Sequence, residues 1–296
     1  VGSNMSGGTA LLDLLSEYSC IARLPGEFDD FRRSGLLGDV IEGYAKFPDA
    51  RQSAFALLRF SAVSPFMKPS FRQKLKIKIE RHLSRFRRSE NIERIDRFYS
   101  TLELCSKGDV DTSINAVQDY IAWISQTLSG KQKFHLFAQP IFLGIHDSLW
   151  PACFSPFKVI FINRDPVDQL GELSNWPYAE KEMDTPIRSL LTMYGQGHCG
   201  LVRFHSDAIH SRLQHMEKQQ NSLGESQALT ITFEALVNDY GQTKSRIEDF
   251  LGLTEDEHTQ KMTRFNPEIS KTNIGSGARK LSPEALEIVR KKFSIK

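Results

Sequence analysis

Nowhere in its 296 residues does this chain carry an apolar run approaching the roughly 18 residues that a membrane-spanning helix needs, so no membrane segment is expected. It lacks a charged-then-apolar leader with a cleavage site, and without one the expected compartment is the cytoplasm. Cysteine is sparse. Cys20, Cys105, Cys153 and Cys199 lie far apart with no C-x-x-C or Cys/His ligand spacing, which argues against zinc. His205, His210 and His215 do not repair that lack, because five-residue steps place neighbours roughly 140° apart on a helix, off any shared face. No metal is therefore expected. Surplus charge is also small: a net +2 gives no ground for nucleic acid or a membrane surface as the main partner. Internal repeats, low-complexity tracts and a clear linker are all missing, so residues 1–296 are expected to form a single domain.

What is present is an ordinary globular composition, 40% hydrophobic and 25% charged, and a distinctive beginning. The run Val1-Gly2-Ser3-Asn4-Met5-Ser6-Gly7-Gly8-Thr9-Ala10-Leu11-Leu12 passes from small and Gly-rich directly into an apolar helix former. Glycines let successive backbone N–H groups turn inward, and the following helix adds its unpaired amides and positive dipole end; together these make a phosphate cradle. The spacing Gly2-x4-Gly7 is that of a P-loop, but Gly8-Thr9 stands where a nucleotide kinase has Lys-Thr.

Residues 8–19 read as a helix, followed by an extended piece at 19–22 and a Pro25-Gly26 turn that throws Glu27, Asp29 and Asp30 into a loop. From 31 to 130 the pattern is helical, with apolar steps of three and four from Ile114 to Leu128. Lys68–Arg97 reads as an amphipathic helix with a cationic outer face. Phe157–Ile162 reads as a buried parallel strand that ends in Asn163-Arg164-Asp165-Pro166, with a helix from about Val167. Ala228–Phe233 repeats that pattern and is followed by a helix carrying Ile247, Phe250 and Leu251 and stopping at Gly252. Strand–helix alternation predicts an α/β fold: a P-loop-type parallel sheet flanked by helices, with 31–130 as a mostly helical insertion. In such a sheet ligands bind beyond the carboxyl ends of the strands, so the Gly-rich loop, the Pro25–Asp30 turn and the Arg164 turn are expected at one edge.

At these segments the chain resembles the sulfotransferase superfamily that uses 3′-phosphoadenylyl sulfate (PAPS), nearest its bacterial and tyrosyl-protein branch. Gly2–Leu12 is similar to the family's 5′-phosphosulfate loop, and Phe161–Pro166 with Ser174 resembles its 3′-phosphate segment. Thr232–Val237 with Ile247–Leu253 resembles its late strand–helix signature. Lys271–Lys280 is similar to its closing glycine/basic loop. The resemblance implies sulfuryl transfer from PAPS to an acceptor hydroxyl or amine, with Glu27 as general base. It also implies cofactor contacts from Ser3, Asn4, Met5, Ser6, Gly7, Gly8, Thr9, Ala10, Arg164, Ser174, Gly277, Arg279 and Lys280. The acceptor, a carbohydrate, a peptide or a small hydroxylated metabolite, falls to the insertion. His135 and His146 are rival bases off the family motifs.

The chain departs from the family's pattern in three places. Met5 stands where the family has Lys or Arg, Phe137-Ala138-Gln139-Pro140 carries no cation where a lysine precedes the proline, and the family's serine position after Arg164 falls on Glu172. Two other readings stay open. One is a catalytically silent relative that binds a nucleotide or anionic glycan; the other is a P-loop kinase, disfavoured by Gly8 in place of lysine.

Overall fold

The structure, a computed structural model, describes residues 1–2, 5–24, 28–32, 35–45, 88–129, 132–141, 143–174, 193–195 and 197–295. The chain order of the main elements is α1 (Gly8–Leu15), β1 (Ile21–Arg23), α2 (Asp29–Arg32), α3 (Leu37–Ile41), α4 (Arg88–Lys107), α5 (Val110–Ser129), β2 (Phe134–Leu136) and α6 (Trp150–Cys153). It continues with β3 (Val159–Asn163), α7 (Pro166–Ser174), α8 (Gly197–Leu223), β4 (Ala228–Thr232), α9 (Phe233–Asn238), α10 (Tyr240–Leu251), α11 (Pro267–Ser270) and α12 (Pro283–Phe293). Helices dominate and the parallel sheet is small, which is the α/β class expected. Ala54–Phe60 and most of the basic stretch Lys68–Arg97 lie outside the described residues. The chain divides into two compact units, Val1–Arg23 with Phe157–Lys296, and Leu24–Pro156.

The first unit is organised by β3. Val159, Ile160, Phe161 and Ile162 are all buried, so the run is apolar on both faces, as a parallel strand covered on both sides must be. It pairs in parallel with β4 from Val159↔Ala228 to Asn163↔Thr232. On its other side Gly2 bridges Ile162 in parallel, and the Ile162 N–H donates to the Val1 carbonyl at 2.9 Å. Three segments thus run side by side, and three turns leave the same sheet edge: Met5–Gly7, Arg164–Asp165 and Phe233.

α7 and α8 form the crossover between β3 and β4. They close a core with α12 in which Val167, Leu170, Leu173, Val202, Ile209, Leu281, Ala285 and Val289 are buried together. Each Val, Leu or Ile side chain among them contributes roughly 1.5–3 kcal/mol when removed from water. α9 begins where Thr232 leaves the strand and its hydroxyl accepts the Ala235 N–H at 3.0 Å. α10 stops at Gly252, which takes the left-handed conformation (φ 67°). The core face expected for α10 is narrower than the periodicity indicated. Ile247 is buried, whereas Phe250 is half-buried, with the Lys158 ammonium 4.9 Å from its ring centre. His205 of α8 is half-buried against Phe204, and burial, reinforced by the nearby Arg212, depresses its pKa to about 4.

The second unit is mostly helical where it is described, with β2 lying within it. α4 and α5 pair, and Phe28, Phe31, Phe137 and Phe154 pack edge to face. Asp30, expected in an acidic loop, instead lies in α2 with only 2% of its surface exposed. A buried carboxylate must be paired. Here the Arg94 Nη2 donates to its two oxygens at 2.9 and 3.2 Å, and the Tyr120 hydroxyl donates at 2.7 Å. Burial, then the Asp30 charge, hold the Tyr120 hydroxyl well above its ordinary pKa. One member of the basic stretch, Arg94, therefore serves the interior rather than a cationic outer face.

Candidate functional site

The three turns of the first unit meet around Arg164, the first residue beyond β3. Its side chain is 6% exposed and is held by neighbours on several sides. Nη1 donates to the Met5 carbonyl at 3.4 Å, Nη2 donates to the Asn273 carbonyl at 2.5 Å, and the guanidinium lies over the Phe233 ring at 4.9 Å. Asp168, one helical turn on, is 3.9 Å from Nη2. The Nε–H is buried and has no partner among the described residues.

The Gly-rich loop is shaped by close approaches that only glycine permits. A Cβ on Gly2 would stand 2.1 Å from Ser6 Oγ and 2.6 Å from the Ile162 carbonyl. Gly7 has φ 95° and its missing Cβ would stand 2.5 Å from the Phe233 ring. The loop therefore folds back on its own strand and leads into α1, with the Leu11 N–H closing on the Gly7 carbonyl at 3.1 Å. Inside it the Ser6 hydroxyl is buried and, like Arg164 Nε, lacks a partner among the described residues. Two orphaned buried donors beside one helix N-terminus fit an anion.

The loop after β3 and the loop after α11 are joined by Asp168. It is 2% exposed, and its two oxygens accept the Gly277 N–H at 2.7 Å and the Gly275 N–H at 2.8 Å. The backbones nearly touch: a Cβ on Gly277 would lie 2.1 Å from the Val167 carbonyl, and one on Gly171 would lie 2.5 Å from the Gly277 Cα. Glu172, the next acidic residue on α7, takes Lys280 Nζ at 2.5 Å and Ser276 Oγ at 3.4 Å. The two turns of the sheet edge are tied as well, since the Asp165 N–H donates to Glu234 at 2.9 Å.

Of the residues expected to contact a cofactor, Met5, Ser6, Gly7, Gly8, Thr9, Ala10, Arg164, Ser174, Gly277, Arg279 and Lys280 all lie in this unit. Ser3, Asn4 and the expected base Glu27 lie outside the described residues. Met5 is 36% exposed with φ 59°, so the loop presents a thioether where a cation was sought. Ser174 ends α7 and turns its hydroxyl back to the Gly171 carbonyl at 3.4 Å. Arg279 and Lys280 are exposed. In the other unit, the rival base His146 is buried, with Nδ1 2.6 Å from Glu42 and Nε2 3.1 Å from Asp39.

Sequence reasoning missed Asp168, Asn273, Phe233 and the partnership of Glu172 with Lys280. A signal for Asp168 was present, because Asp at four residues beyond Arg164 on a helix start shares its face. Nothing in the sequence paired it with Gly275 and Gly277, about a hundred residues away.

No family model and no curated protein sequence matches the chain. Among solved structures, the sulfotransferase domain from the Synechococcus PCC 7002 olefin synthase matches it with a TM-score of 0.50 at 15% identity, over 100% of this chain and 86% of that one. Sulfotransferase STF9 from Mycobacterium avium matches with a TM-score of 0.43 at 11% identity, over 99% of this chain and 74% of that one. At such identity the first of these likenesses is one of fold. The chain has a sulfotransferase fold, as its motifs led us to expect.

Proposed function

We propose that this chain is a PAPS-dependent sulfotransferase, moving a sulfuryl group in line to an acceptor hydroxyl or amine. The observation that carries the reading is the pair of buried donors without partners, Arg164 Nε and Ser6 Oγ, at the carboxyl ends of adjacent parallel segments. An anion with groups at two positions satisfies both. The fold of a sulfotransferase domain supports the same reading.

PAPS supplies the sulfuryl group, and its desulfated product is adenosine 3′,5′-bisphosphate. In this proposal Ser6 and the amides around Gly7–Ala10 hold the 5′ end, and the α1 dipole favours its charge. Arg164, with Gly277, Arg279 and Lys280, holds the 3′ phosphate; the planar guanidinium, already oriented by Phe233 and Asn273, loses little entropy on binding. Ser174 completes that end. Catalysis of this kind rests on positioning and on charge placed in advance. Glu27 takes the acceptor proton.

Arg164→Ala is expected to weaken adenosine 3′,5′-bisphosphate about a hundredfold or more, the weight of a lost charge-assisted fork. Calorimetric titration of both proteins measures it. An affinity unchanged by the substitution removes Arg164 from the site, and no binding by the unaltered chain defeats the nucleotide reading.

One observation favours a second reading. Met5 gives the loop no cation, and losing one transition-state donor costs about a hundred- to a thousandfold in rate. A silent relative binds the bisphosphate with the same dependence on Arg164 and releases no product when PAPS and acceptors are supplied. A sulfotransferase forms the bisphosphate under those conditions and stops doing so in Glu27→Gln.

A further inference from the structure

α7 sets two carboxylates against one loop, and their surroundings give them different work. Asp168 is buried and grips backbone amides, so it belongs to the framework. Glu172, one turn further, is 27% exposed and grips a side chain, the Lys280 ammonium at 2.5 Å; the Ser276 hydroxyl stands 3.4 Å away and donates to the Asn273 carbonyl at 3.0 Å. Side chains of that kind can turn to another partner; backbone amides locked under a helix cannot. Lys280 itself is 36% exposed. A cation on a loop, reachable by solvent and paired with a carboxylate, is an anion site with an occupant already in place.

We propose that Glu172 is this occupant: a resident anion that competes with a nucleotide phosphate for Lys280 and so sets how tightly the site holds a nucleotide phosphorylated at its 3′ position. The inference rests on the nucleotide reading above. Binding a 3′ phosphate requires Lys280 to leave Glu172, and the displaced carboxylate then stands beside a dianion. Like charges a few ångströms apart at a partly exposed site oppose one another by an energy on the order of a tenfold change in affinity or more. The bisphosphate bears that penalty and a nucleotide with a bare 3′ hydroxyl does not. Glu172 thereby narrows the preference between the two and speeds release of a bisphosphate product.

The test compares adenosine 3′,5′-bisphosphate with adenosine 5′-monophosphate by calorimetry on the full chain, unaltered and as Glu172→Gln. Glutamine keeps the shape and removes the charge. The variant is expected to bind the bisphosphate about tenfold tighter and the monophosphate within about twofold of the unaltered chain. The gain should shrink in 1 M salt, where the Debye length is about 3 Å, and vanish in Glu172→Gln combined with Lys280→Ala. Glu172→Ala is expected to give the same gain and serves if the glutamine variant fails to fold. Bisphosphate affinity that is unchanged or weaker in the variants, with the monophosphate still bound, overturns this role for Glu172 alone. Failure of every protein to bind either nucleotide overturns the nucleotide reading, and the present inference falls with it.

Discussion

Glu17→Gln is expected to cost the first unit about 3 kcal/mol at neutral pH, although the residue belongs to none of the motifs that point to function. The side chain is 1% exposed and accepts four hydrogen bonds, all within this unit. One oxygen takes the N–H groups of Arg264 at 2.7 Å and Phe265 at 2.9 Å. The other takes the Met262 N–H at 3.1 Å and lies 2.7 Å from His258 Nε2. Three of the four are fixed backbone donors, and they hold a turn in which Met262 has φ 56°, a conformation that ordinary residues avoid. An amide in place of the carboxylate turns an NH₂ group toward one of those donor pairs. Breaking a buried charged interaction on one side is typically worth about 3–5 kcal/mol, and the conserved shape of glutamine keeps the cost at the low end. Chemical denaturation measures it.

The pH dependence follows from the same contacts. Burial alone would raise the Glu17 pKa, but the hydrogen bonds from Phe265, His258, Arg264 and Met262 together bring it below the ordinary glutamate value. A carboxyl with a lowered pKa in the folded state adds stability that is fully present above the unfolded value of about 4.3, and that stability is lost as pH falls through the folded value. The gap between the unaltered chain and Glu17→Gln is therefore expected to be full at pH 7 and to narrow below about pH 4. A gap that holds constant from pH 7 down through the folded value, or one below about 1 kcal/mol throughout, would contradict this account.

Gly277→Ala is expected to do comparable damage and to abolish nucleotide binding with it. Its Cβ would lie 2.1 Å from the Val167 carbonyl and 2.5 Å from the Asp168 Cα, both backbone atoms of a helix that is itself packed into the core. Neither neighbour can yield without moving α7. The loop must open instead, and opening withdraws the Gly275 and Gly277 amides from Asp168 and the Asn273 carbonyl from Arg164. Overpacking costs about 1–3 kcal/mol, and two buried carboxylate oxygens left without donors add more. Bisphosphate affinity is expected to fall at least about a hundredfold, since Arg164 loses the partner that orients it. Gly275→Ala is the matched control. It has φ 70° but nothing within 4 Å of its missing Cβ, so only the strain of a left-handed residue applies, about 1 kcal/mol. Thermal melts and bisphosphate titrations of the two variants decide the matter: equal effects at the two glycines would refute the steric argument.

The parallel strands at 159–163 and 228–232 were legible because short β-branched, apolar runs read as strands, although β4 is buried only at Ala228 and Ile231, and the Gly252 stop was legible because the turn demands a positive φ. The helix from Val110 to Ser129 followed from its own periodicity. The place of Arg164 just beyond the carboxyl end of a buried parallel strand was legible too, since the apolar run stops at Asn163. Local rules of this kind act over a few residues, and a sequence displays them directly.

The misreadings have a common cause. Asp30 sat in an acidic stretch after Pro25-Gly26 and read as a solvated turn; its burial depends on Arg94 and Tyr120, 64 and 90 residues further on. The partners of His146 were equally hidden, since Asp39 and Glu42 reach it from more than a hundred residues away. By itself the sequence determined the class of fold, the strands whose carboxyl ends the Gly-rich loop and Arg164 share, and the glycine positions that shape the loop, because dihedral freedom, strand burial and helix starts are properties of short segments. Only the tertiary structure decided which buried carboxylate meets which donor: Glu17 with the turn at 262–265, Asp168 with Gly275 and Gly277, Glu172 with Lys280. Pairing a buried charge is obligatory, but the partner can come from any part of the chain that folding brings within about 3 Å, and no local pattern records that distance.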